Sequence, residues 1–187
     1  MKYQHEIDYI RRIRDGETNL FSYFIDRYSR PIHSLIVQII TNREDAEELT
    51  QDTFVKAFRK LDSFKGDCSF STWLYRIAYN TAISATRKRK TLFPILDEKI
   101  LENITEETVD SFLDREDDEE LLQKLEQAID YLNTEEKALI TLYYMEEKTV
   151  NDVASILGMS TDNVKVKLFR VRKNLYAWIK NKENGTR

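Results

Sequence analysis

The sequence is poor in residues that break or cross-link a chain: of 187 residues, four are glycine, two are proline and one is cysteine. So few glycines and prolines argue against a turn-rich sandwich or barrel and favour long helices. Because Cys68 has no second cysteine to pair with, we expect a reduced, cytoplasmic protein. No apolar run approaches the roughly 18 residues that span a bilayer, and the N-terminus lacks the apolar segment of a signal peptide. We therefore expect no membrane insertion.

Residue types that carry catalysis or bind metal are also scarce. The two histidines, His5 and His33, are far apart, and no Cys/His cluster has metal-ligand spacing. The sequence has no glycine-rich phosphate loop and no defensible Ser/His/Asp set. We therefore predict no catalytic residue, no metal site, no cofactor and no enzymatic activity.

Charge is distributed very unevenly along the chain. Residues 1–90 carry 16 basic and 12 acidic side chains, residues 91–136 carry 3 and 16, and residues 137–187 carry 10 and 5. Two basic segments therefore flank a strongly acidic one, although the net charge is -4. This arrangement indicates two lobes that bind a polyanion.

Apolar periodicity predicts an all-α fold of two small helical domains joined by an acidic linker. In the first domain we expect four helical stretches: Ile7 to Ile13, Leu20 to Ile40 with a break or kink at Pro31, Glu44 to Leu61, and a helix capped by Ser71 or Thr72 that runs to about Lys90. In the second domain we expect four helices. The first covers Glu119–Tyr131, and the second begins at an Asn133–Glu136 capping box and runs to about Met145. The third runs from a Thr149–Asp152 cap to Leu157, and the fourth from a Ser160 cap to about Lys180.

The segment from Thr149 to Leu175 is typical of a helix-turn-helix. Gly158 follows the first of its helices, where a positive φ is favoured. A buried stripe is predicted on the last helix at Val164, Leu168, Val171 and Leu175. The opposite face carries cations for phosphate, amides for base edges and one apolar group: Asn163, Val166, Lys167, Arg170, Lys173 and Asn174. The alternative is an ordinary helical hairpin with a solvated basic face.

Two helices of the first domain have outer faces of contrasting character. The helix from Glu44 has an acidic face with an apolar centre, which suits a basic protein surface but is also common on solvated helices. The helix from Thr72 presents Trp73, Arg76, Asn80 and Arg87 and ends in a basic cluster that includes Lys88. This aromatic and cationic stripe fits unstacked bases, and the loop over residues 64–70 could hold an extruded base. At least one of Phe64, Phe70 and Trp73 is expected to pack in the core.

With these stretches in view, the chain resembles the extracytoplasmic-function group of bacterial sigma-70 factors. The stretch 45–54 (DAEELTQDTF) resembles the polymerase-binding segment, 70–80 (FSTWLYRIAYN) the minus-ten helix, and 152–175 the minus-thirty-five helix-turn-helix. The resemblance implies a region 2-like domain over residues 1–92, a linker over 93–118 and a region 4-like domain over 119–183. It also implies core RNA polymerase and promoter DNA as partners and an anti-sigma factor as a regulator.

The resemblance assigns roles to three sets of residues. Contacts to core polymerase are implied for Asp45, Glu48, Gln51, Asp52, Phe54 and Val55. Minus-ten capture is implied for Phe64, Lys65, Trp73, Arg76 and Asn80, with Arg87 and Lys88 from the basic cluster. Minus-thirty-five readout is implied for Asn163, Val166, Lys167, Arg170 and Lys173. Departures from the family pattern at Ser84, Asn133, Val166, Lys167 and Phe169 leave the promoter sequence open.

Two other functions remain open at this stage. A self-sufficient helix-turn-helix repressor would need a dimer interface and a palindromic site. A helical adaptor would bind proteins only, and its basic faces would be solvated. Promoter-dependent transcription by core polymerase on addition of this chain would separate both from a sigma factor.

Overall fold

The computed structural model describes residues 2–86, 105, 107–109 and 119–184. Residues 2–86, here the first unit, contain four α-helices: α1 (Lys2–Arg14), α2 (Ser22–Ile39), α3 (Arg43–Arg59) and α4 (Phe70–Thr86). Two short 3-10 turns, Thr18–Phe21 and Leu61–Ser63, precede α2 and follow α3. The four predicted helices of this unit are therefore present, and the part of the last one expected over residues 87–90 lies outside the described residues.

Residues 119–184, the second unit, contain four further helices: α5 (Glu119–Asp130), α6 (Thr134–Ile140), α7 (Val150–Leu157) and α8 (Thr161–Asn184). A π-helical turn, Thr141–Met145, continues α6. All regular structure in the described residues is helical, which confirms the all-α fold class. No helix among them is long and apolar enough to cross a membrane.

In the first unit, α2, α3 and α4 pack against one another around a cluster of aromatic rings. The rings of Phe24 and Phe70 lie 4.1 Å apart between centroids, and Phe70 also contacts Phe64 and Trp73. Of the break or kink expected at Pro31, the break is wrong, because α2 is one continuous helix through that residue, and a kink stays a prediction. Buried side chains on both sides of Pro31, such as Tyr28 and Ile32, hold the helix in place although the proline supplies no N–H.

The second unit is shaped by helix caps that the sequence predicts. The side chain of Asn133 accepts a hydrogen bond from the backbone N–H of Glu136, and the Glu136 carboxylate accepts one from the N–H of Asn133. The Thr149 hydroxyl caps α7 by accepting a hydrogen bond from the N–H of Asp152, and the Ser160 hydroxyl caps α8 by accepting one from the N–H of Asn163. Gly158 follows α7 with φ of 71°, as expected for the left-handed residue that ends a helix.

One predicted cap is wrong. The N–H of Thr72 donates to the Ser69 hydroxyl, so Ser69 caps α4, and both Ser71 and Thr72 lie inside the helix and are buried. Their hydroxyls form hydrogen bonds with the second unit: that of Ser71 accepts from the Lys148 ammonium, and that of Thr72 donates to the Asp152 carboxylate.

The two units pack directly against each other. Helix α2 contacts α6, α4 contacts α7, and buried residues of both units form a single hydrophobic cluster. In the predicted linker the structure describes residues 105 and 107–109, where Val109 is fully buried. The units are therefore docked on one another as well as joined by the chain.

Candidate nucleic-acid interface

The outer face of α3 is acidic and exposed. Asn42 caps the helix by accepting a hydrogen bond from the N–H of Asp45 at 3.0 Å, which orients the first turn. The exposed side chains on this face are those of Asp45, Glu48, Gln51, Asp52 and Val55. Phe54 is a correction: it is 6% exposed and packs in the core, so it supports α3 from inside and does not belong to this face.

Phe58 is a residue of this surface that the sequence analysis missed. Its side chain is 41% exposed, beside Val55 at 47%, and its ring packs edge-on against Phe21. The two apolar groups, one turn apart at i and i+3, form an apolar centre within the acidic face. The helical spacing from Val55 is the signal that could have revealed Phe58.

The outer face of α4 combines exposed polar groups with a half-buried indole. Arg76 and Asn80 are exposed, and the Asn80 amide donates to the carbonyl of Arg76. Trp73 is half-buried between Phe64, at 5.4 Å between ring centroids, and Phe70 at 5.6 Å. The indole is thus held by packing, with part of its surface open to an incoming base.

A cavity of about 350 Å³ lies beside the start of α4. Its walls come from α1, from the loop over residues 64–70 and from the start of α7, and they include Ile7, Phe64, Cys68, Ser69 and Asp152. Phe64 is 7% exposed, so it contributes as a wall of this cavity, whereas Lys65 is exposed at the surface. The predicted base-binding loop therefore borders a real cavity. Arg87 and Lys88 lie outside the described residues.

Helix α8 turns a polar face outward over a buried stripe. Val164, Leu168, Val171 and Leu175 are all buried, as predicted. The opposite face exposes Asn163, Val166 and Arg170, with Val166 50% exposed. Exposed amide, guanidinium and aliphatic groups on one helix face are what a major-groove reader requires.

Two cations on α8 have partners within the second unit. The ammonium of Lys167 lies 2.5 Å from the carboxylate of Glu135, at the start of α6. Lys173 lies over the ring of Phe169, 4.8 Å from its centroid. These contacts fix the orientation of both side chains along the outer face. Asn174 is half-buried and lies at the edge of this face.

Among the residues that the structure describes, no group of three or more His, Cys, Asp or Glu side chains could hold a metal ion. The surfaces above are thus built of acids, amides, guanidinium groups and apolar side chains. This chemistry is suited to recognition of proteins and nucleic acids.

Comparison with known proteins decides the family. The model of Sigma-70 region 2 matches residues 24–91, and that of Sigma-70 region 4 matches residues 122–175. The ECF RNA polymerase sigma-E factor of Haemophilus influenzae is 32% identical over 171 residues, which cover 88% of this chain and 89% of the relative. The ECF RNA polymerase sigma factor SigW of Bacillus subtilis is 30% identical, with 89% and 92% covered.

The chain belongs to the extracytoplasmic-function group of sigma-70 factors. As a sigma factor it directs RNA polymerase to promoters at the start of transcription.

Two solved structures share the fold of this sigma factor. CnrH, in complex with the cytosolic domain of CnrY, matches with a TM-score of 0.66 at 21% identity over 92% of this chain and 96% of that one. RpoE of Bartonella quintana, in complex with the anti-sigma factor NepR, matches with a TM-score of 0.63 at 21% identity over 86% and 96%. Both matches span both units.

Proposed function

We propose that three surfaces divide the work of this sigma factor. The acidic face of α3 docks on core polymerase through Asp45, Glu48, Gln51, Asp52 and Val55. The outer stripe of α4 and its loop hold the minus-ten strand through Phe64, Lys65, Trp73, Arg76 and Asn80, joined by Arg87 and Lys88. The outer face of α8 reads the minus-thirty-five duplex through Asn163, Val166, Lys167, Arg170 and Lys173.

The observation that carries this proposal is the exposed set of base-reading side chains on α8. Asn163, Val166 and Arg170 project from a helix whose opposite stripe is fully buried, so the face is rigidly presented. An Arg can bond two acceptors of a guanine edge, and an aliphatic group can contact a thymine methyl. The Trp73, Arg76 and Asn80 stripe of α4 supports a second contact with unstacked bases.

We also propose that binding by the two units is mutually reinforcing. Each unit has one modest DNA-contacting face, and residues 93–118 form the tether between the two proposed domains. Once one unit is bound, the tether raises the effective concentration of the other at its own promoter element. The sigma factor then selects promoters that carry both elements at a compatible spacing.

The proposed function also includes a protein that regulates this sigma factor and the compartment in which it acts. Two relatives of the same fold were solved in complexes with partner proteins, one of them named as an anti-sigma factor. We infer that an anti-sigma factor also binds this chain, and that the chain acts in the cytoplasm. The chain itself performs no catalysis, because polymerase carries out the synthesis.

The central test is run-off transcription from a promoter library with purified core polymerase. The expected result is transcripts from a defined subset of promoters, dependent on added chain. Tight binding of a palindromic duplex by a dimer of this chain, with no transcript, would instead support the repressor alternative.

The polymerase-docking face is tested with Asp52→Arg. Asp52 is exposed on α3 and lies 3.8 Å from Lys56, so reversing its charge alters the surface and not the core. Association with core polymerase should weaken while the far-ultraviolet circular dichroism is unchanged. Asp26→Arg, an equal charge reversal on exposed α2, is the matched control. Wild-type affinity of Asp52→Arg for core would show that the docking face is elsewhere.

The duplex-reading face is tested with Arg170→Ala. A bidentate base contact by Arg170 should be worth about 1–3 kcal/mol of binding, lost chiefly for one upstream sequence class. Lys165→Ala, an exposed cation on another side of α8, serves as the control and should weaken binding evenly or not at all. An even loss for Arg170→Ala across all upstream sequences would reassign Arg170 to phosphate contact.

A further inference from the structure

Arg14, the last residue of α1, ties this helix to the segment that leads into the proposed minus-ten loop. Its Nη2 atom donates to the backbone carbonyl of Leu61 and to that of Phe64, at 2.6 Å each. Its Nε atom lies 3.8 Å from the carboxylate of Asp62, an exposed pair that adds little. One guanidinium thus joins α1 to backbone positions 47 and 50 residues away in the chain.

The two carbonyls lie where the backbone changes direction. The 3-10 turn Leu61–Ser63 follows α3, and Phe64 after it is extended, with φ of -71° and ψ of 111°. The Leu61 carbonyl also accepts the N–H of Phe64 at 3.1 Å, so Arg14 is its second donor. Hydrogen bonds from a charged donor are stronger than those between neutral groups. Arg14 therefore fixes the direction in which the loop over residues 64–70 leaves the turn.

The ring of Phe64 passes this constraint to the Trp73 indole. Phe64 is buried, and its ring centroid lies 5.4 Å from that of Trp73 and 5.9 Å from that of Phe70. The open surface of the half-buried indole is the part proposed above to hold an unstacked base. A shift of the Phe64 backbone would move one of the two rings that hold the indole. Arg14 can therefore act on the base-binding surface through Phe64.

Helix α1 also builds part of the cavity beside this loop. Ile7 and Ile10 line the cavity from α1, and Phe64 and Gly66 line it from the loop. Arg14 joins these two parts of the wall through its bond to the Phe64 carbonyl. Helix α1 precedes residues 24–91, which the Sigma-70 region 2 model matches, and the three residue sets assigned above include none of its side chains.

We propose that Arg14 is a positioning residue for minus-ten recognition. By holding the Leu61 and Phe64 carbonyls it places the Phe64 ring against Trp73, and so sets how selectively the α4 stripe binds a minus-ten strand. The inference rests on the proposed function for the role of Trp73. The link from Arg14 to the indole can be measured without DNA.

The test variant is Arg14→Met, which removes the charge and every N–H donor while keeping an unbranched side chain. The matched control is Arg11→Met, in the same last turn of α1. Arg11 is exposed and pairs with Asp8 at 2.8 Å, so the control repeats the loss of a cation at this helix end. Arg14→Lys keeps an ammonium donor on a shorter side chain and should behave between Arg14→Met and wild type.

The first measurement uses holoenzyme made from core polymerase and each variant, with a promoter recovered from the run-off library. Transcription is compared with that from a copy whose minus-ten element is replaced and from a copy whose minus-thirty-five element is replaced. Each preference is a ratio within one preparation, so the fraction of folded protein cancels. Arg14→Met should lower the minus-ten preference about fivefold, the lower end of what one stacked base contributes, and leave the minus-thirty-five preference unchanged.

The second measurement follows the Trp73 indole in the free chain. The sequence has two tryptophans, so Trp178→Phe leaves Trp73 as the single one. In this background Arg14→Met should raise the rate constant of acrylamide quenching about twofold, because local loosening of the loop exposes the indole. The far-ultraviolet circular dichroism should stay unchanged, and Arg11→Met should be quenched like the background.

A lower minus-ten preference with faster quenching in Arg14→Met, both partly restored in Arg14→Lys, supports the proposal. A wild-type minus-ten preference in Arg14→Met would overturn it, as would an equal fall in Arg11→Met or an equal fall in both promoter preferences. Absence of any minus-ten preference in the wild type would instead contradict the proposed function. Faster quenching in Arg14→Met would then still support the link from Arg14 to Trp73, whereas unchanged quenching would overturn it.

Discussion

The two units of this sigma factor are held in shape by different kinds of interaction. In the first unit, helices of 17 and 18 residues pack around a ring cluster that includes Phe24, Phe64 and Phe70. In the second, helices as short as seven and eight residues are each bounded by an explicit cap, and the core is largely aliphatic. Short helices are marginal alone, so their ends need defined hydrogen-bond partners.

The comparison explains why the second unit was easier to predict. A cap is a local signal, read from two residues three positions apart, as with Asn133 and Glu136. A ring cluster is assembled from residues far apart in sequence. The first unit therefore depends on packing that no short stretch reveals.

The largest expected effect is on the ring cluster. Phe24→Ala should lower the free energy of unfolding by about 3–5 kcal/mol, because Phe24 is fully buried and its loss leaves a cavity. Phe58→Ala, a half-exposed ring on α3, should cost far less. Trp73 and Trp178, one in each unit, allow urea unfolding to be followed in both. Coincident transitions are expected because the units share a core, and separate ones would contradict that shared core.

Alkaline pH should weaken the first unit and its contact with the second unit through two buried tyrosines of the first unit. Burial and a carboxylate partner raise the pKa of Tyr28, bonded to Glu6, and of Tyr75, bonded to Glu146. The unfolded chain releases these protons above about pH 10 while the folded chain retains them, so stability falls as pH rises, by up to about 1.4 kcal/mol per pH unit for each tyrosine. The pKa of Lys148 is lowered in the folded chain, so its titration makes stability rise with pH. This contribution ends at about pH 10.4, where the unfolded chain also loses the proton.

The measurement is urea unfolding of wild type, Tyr28→Phe and Tyr75→Phe at several pH values above about 10.4. Each variant should show a shallower decline of stability than wild type. Tyr28→Phe reports on the first unit alone, whereas Tyr75→Phe reports on the contact between units. An unchanged slope in either variant would show that its tyrosine titrates normally in the folded chain.

A smaller loss of stability is expected when either of two asparagine caps is replaced by alanine, and the loss should differ between the two units. Asn133→Ala in the second unit should cost about 1 kcal/mol, within the range of about 0.5–2 for such caps. Asn42→Ala in the first unit should cost less, because Asn42 makes one cap bond and no reciprocal glutamate bond is present at α3. Thermal unfolding of the two variants measures the difference. Equal losses would mean that the reciprocal bond of Glu136 adds nothing.

The smallest effect is expected for a surface ion pair. Asp8→Asn removes the partner of Arg11, 2.8 Å away on the exposed side of α1, and should change stability by about 0.2–0.5 kcal/mol. The variant for comparison is Glu183→Gln, which removes the partner of Lys180 at the same spacing on α8 and also a contact with Lys124 of α5, 3.5 Å away, so it should cost slightly more. Both effects should vanish in high salt. A loss above about 1 kcal/mol in either variant would point to a structural role beyond the pair.

Several predictions failed where tertiary contacts overrode a local pattern. Pro31 does not end its helix, because buried neighbours on both sides hold α2 together. The family resemblance assigns Phe54 to the polymerase-binding face of α3, but its side chain is buried in the core. Ser71 and Thr72 have side chains that cap helices well, yet Ser69 takes that role and their hydroxyls bond across to the second unit.

The candidate surfaces were predicted to different degrees. The α8 face followed from helical periodicity, since one buried stripe leaves the opposite side outward. On α4 the same reasoning located Arg76 and Asn80 on the outer face. The structure buries a second side, including Tyr75 and Tyr79, because α7 and its neighbours cover it. Docking between distant segments leaves no periodic trace in either segment.

The sequence by itself determined the helical class, most helix ends and the outward face of α8, because periodicity and capping act between residues a few positions apart. The tertiary structure alone decided which hydroxyls, rings and charges meet across the two units. Those contacts depend on how whole helices are placed, and that placement minimises exposed apolar surface over the entire chain and not within any one stretch.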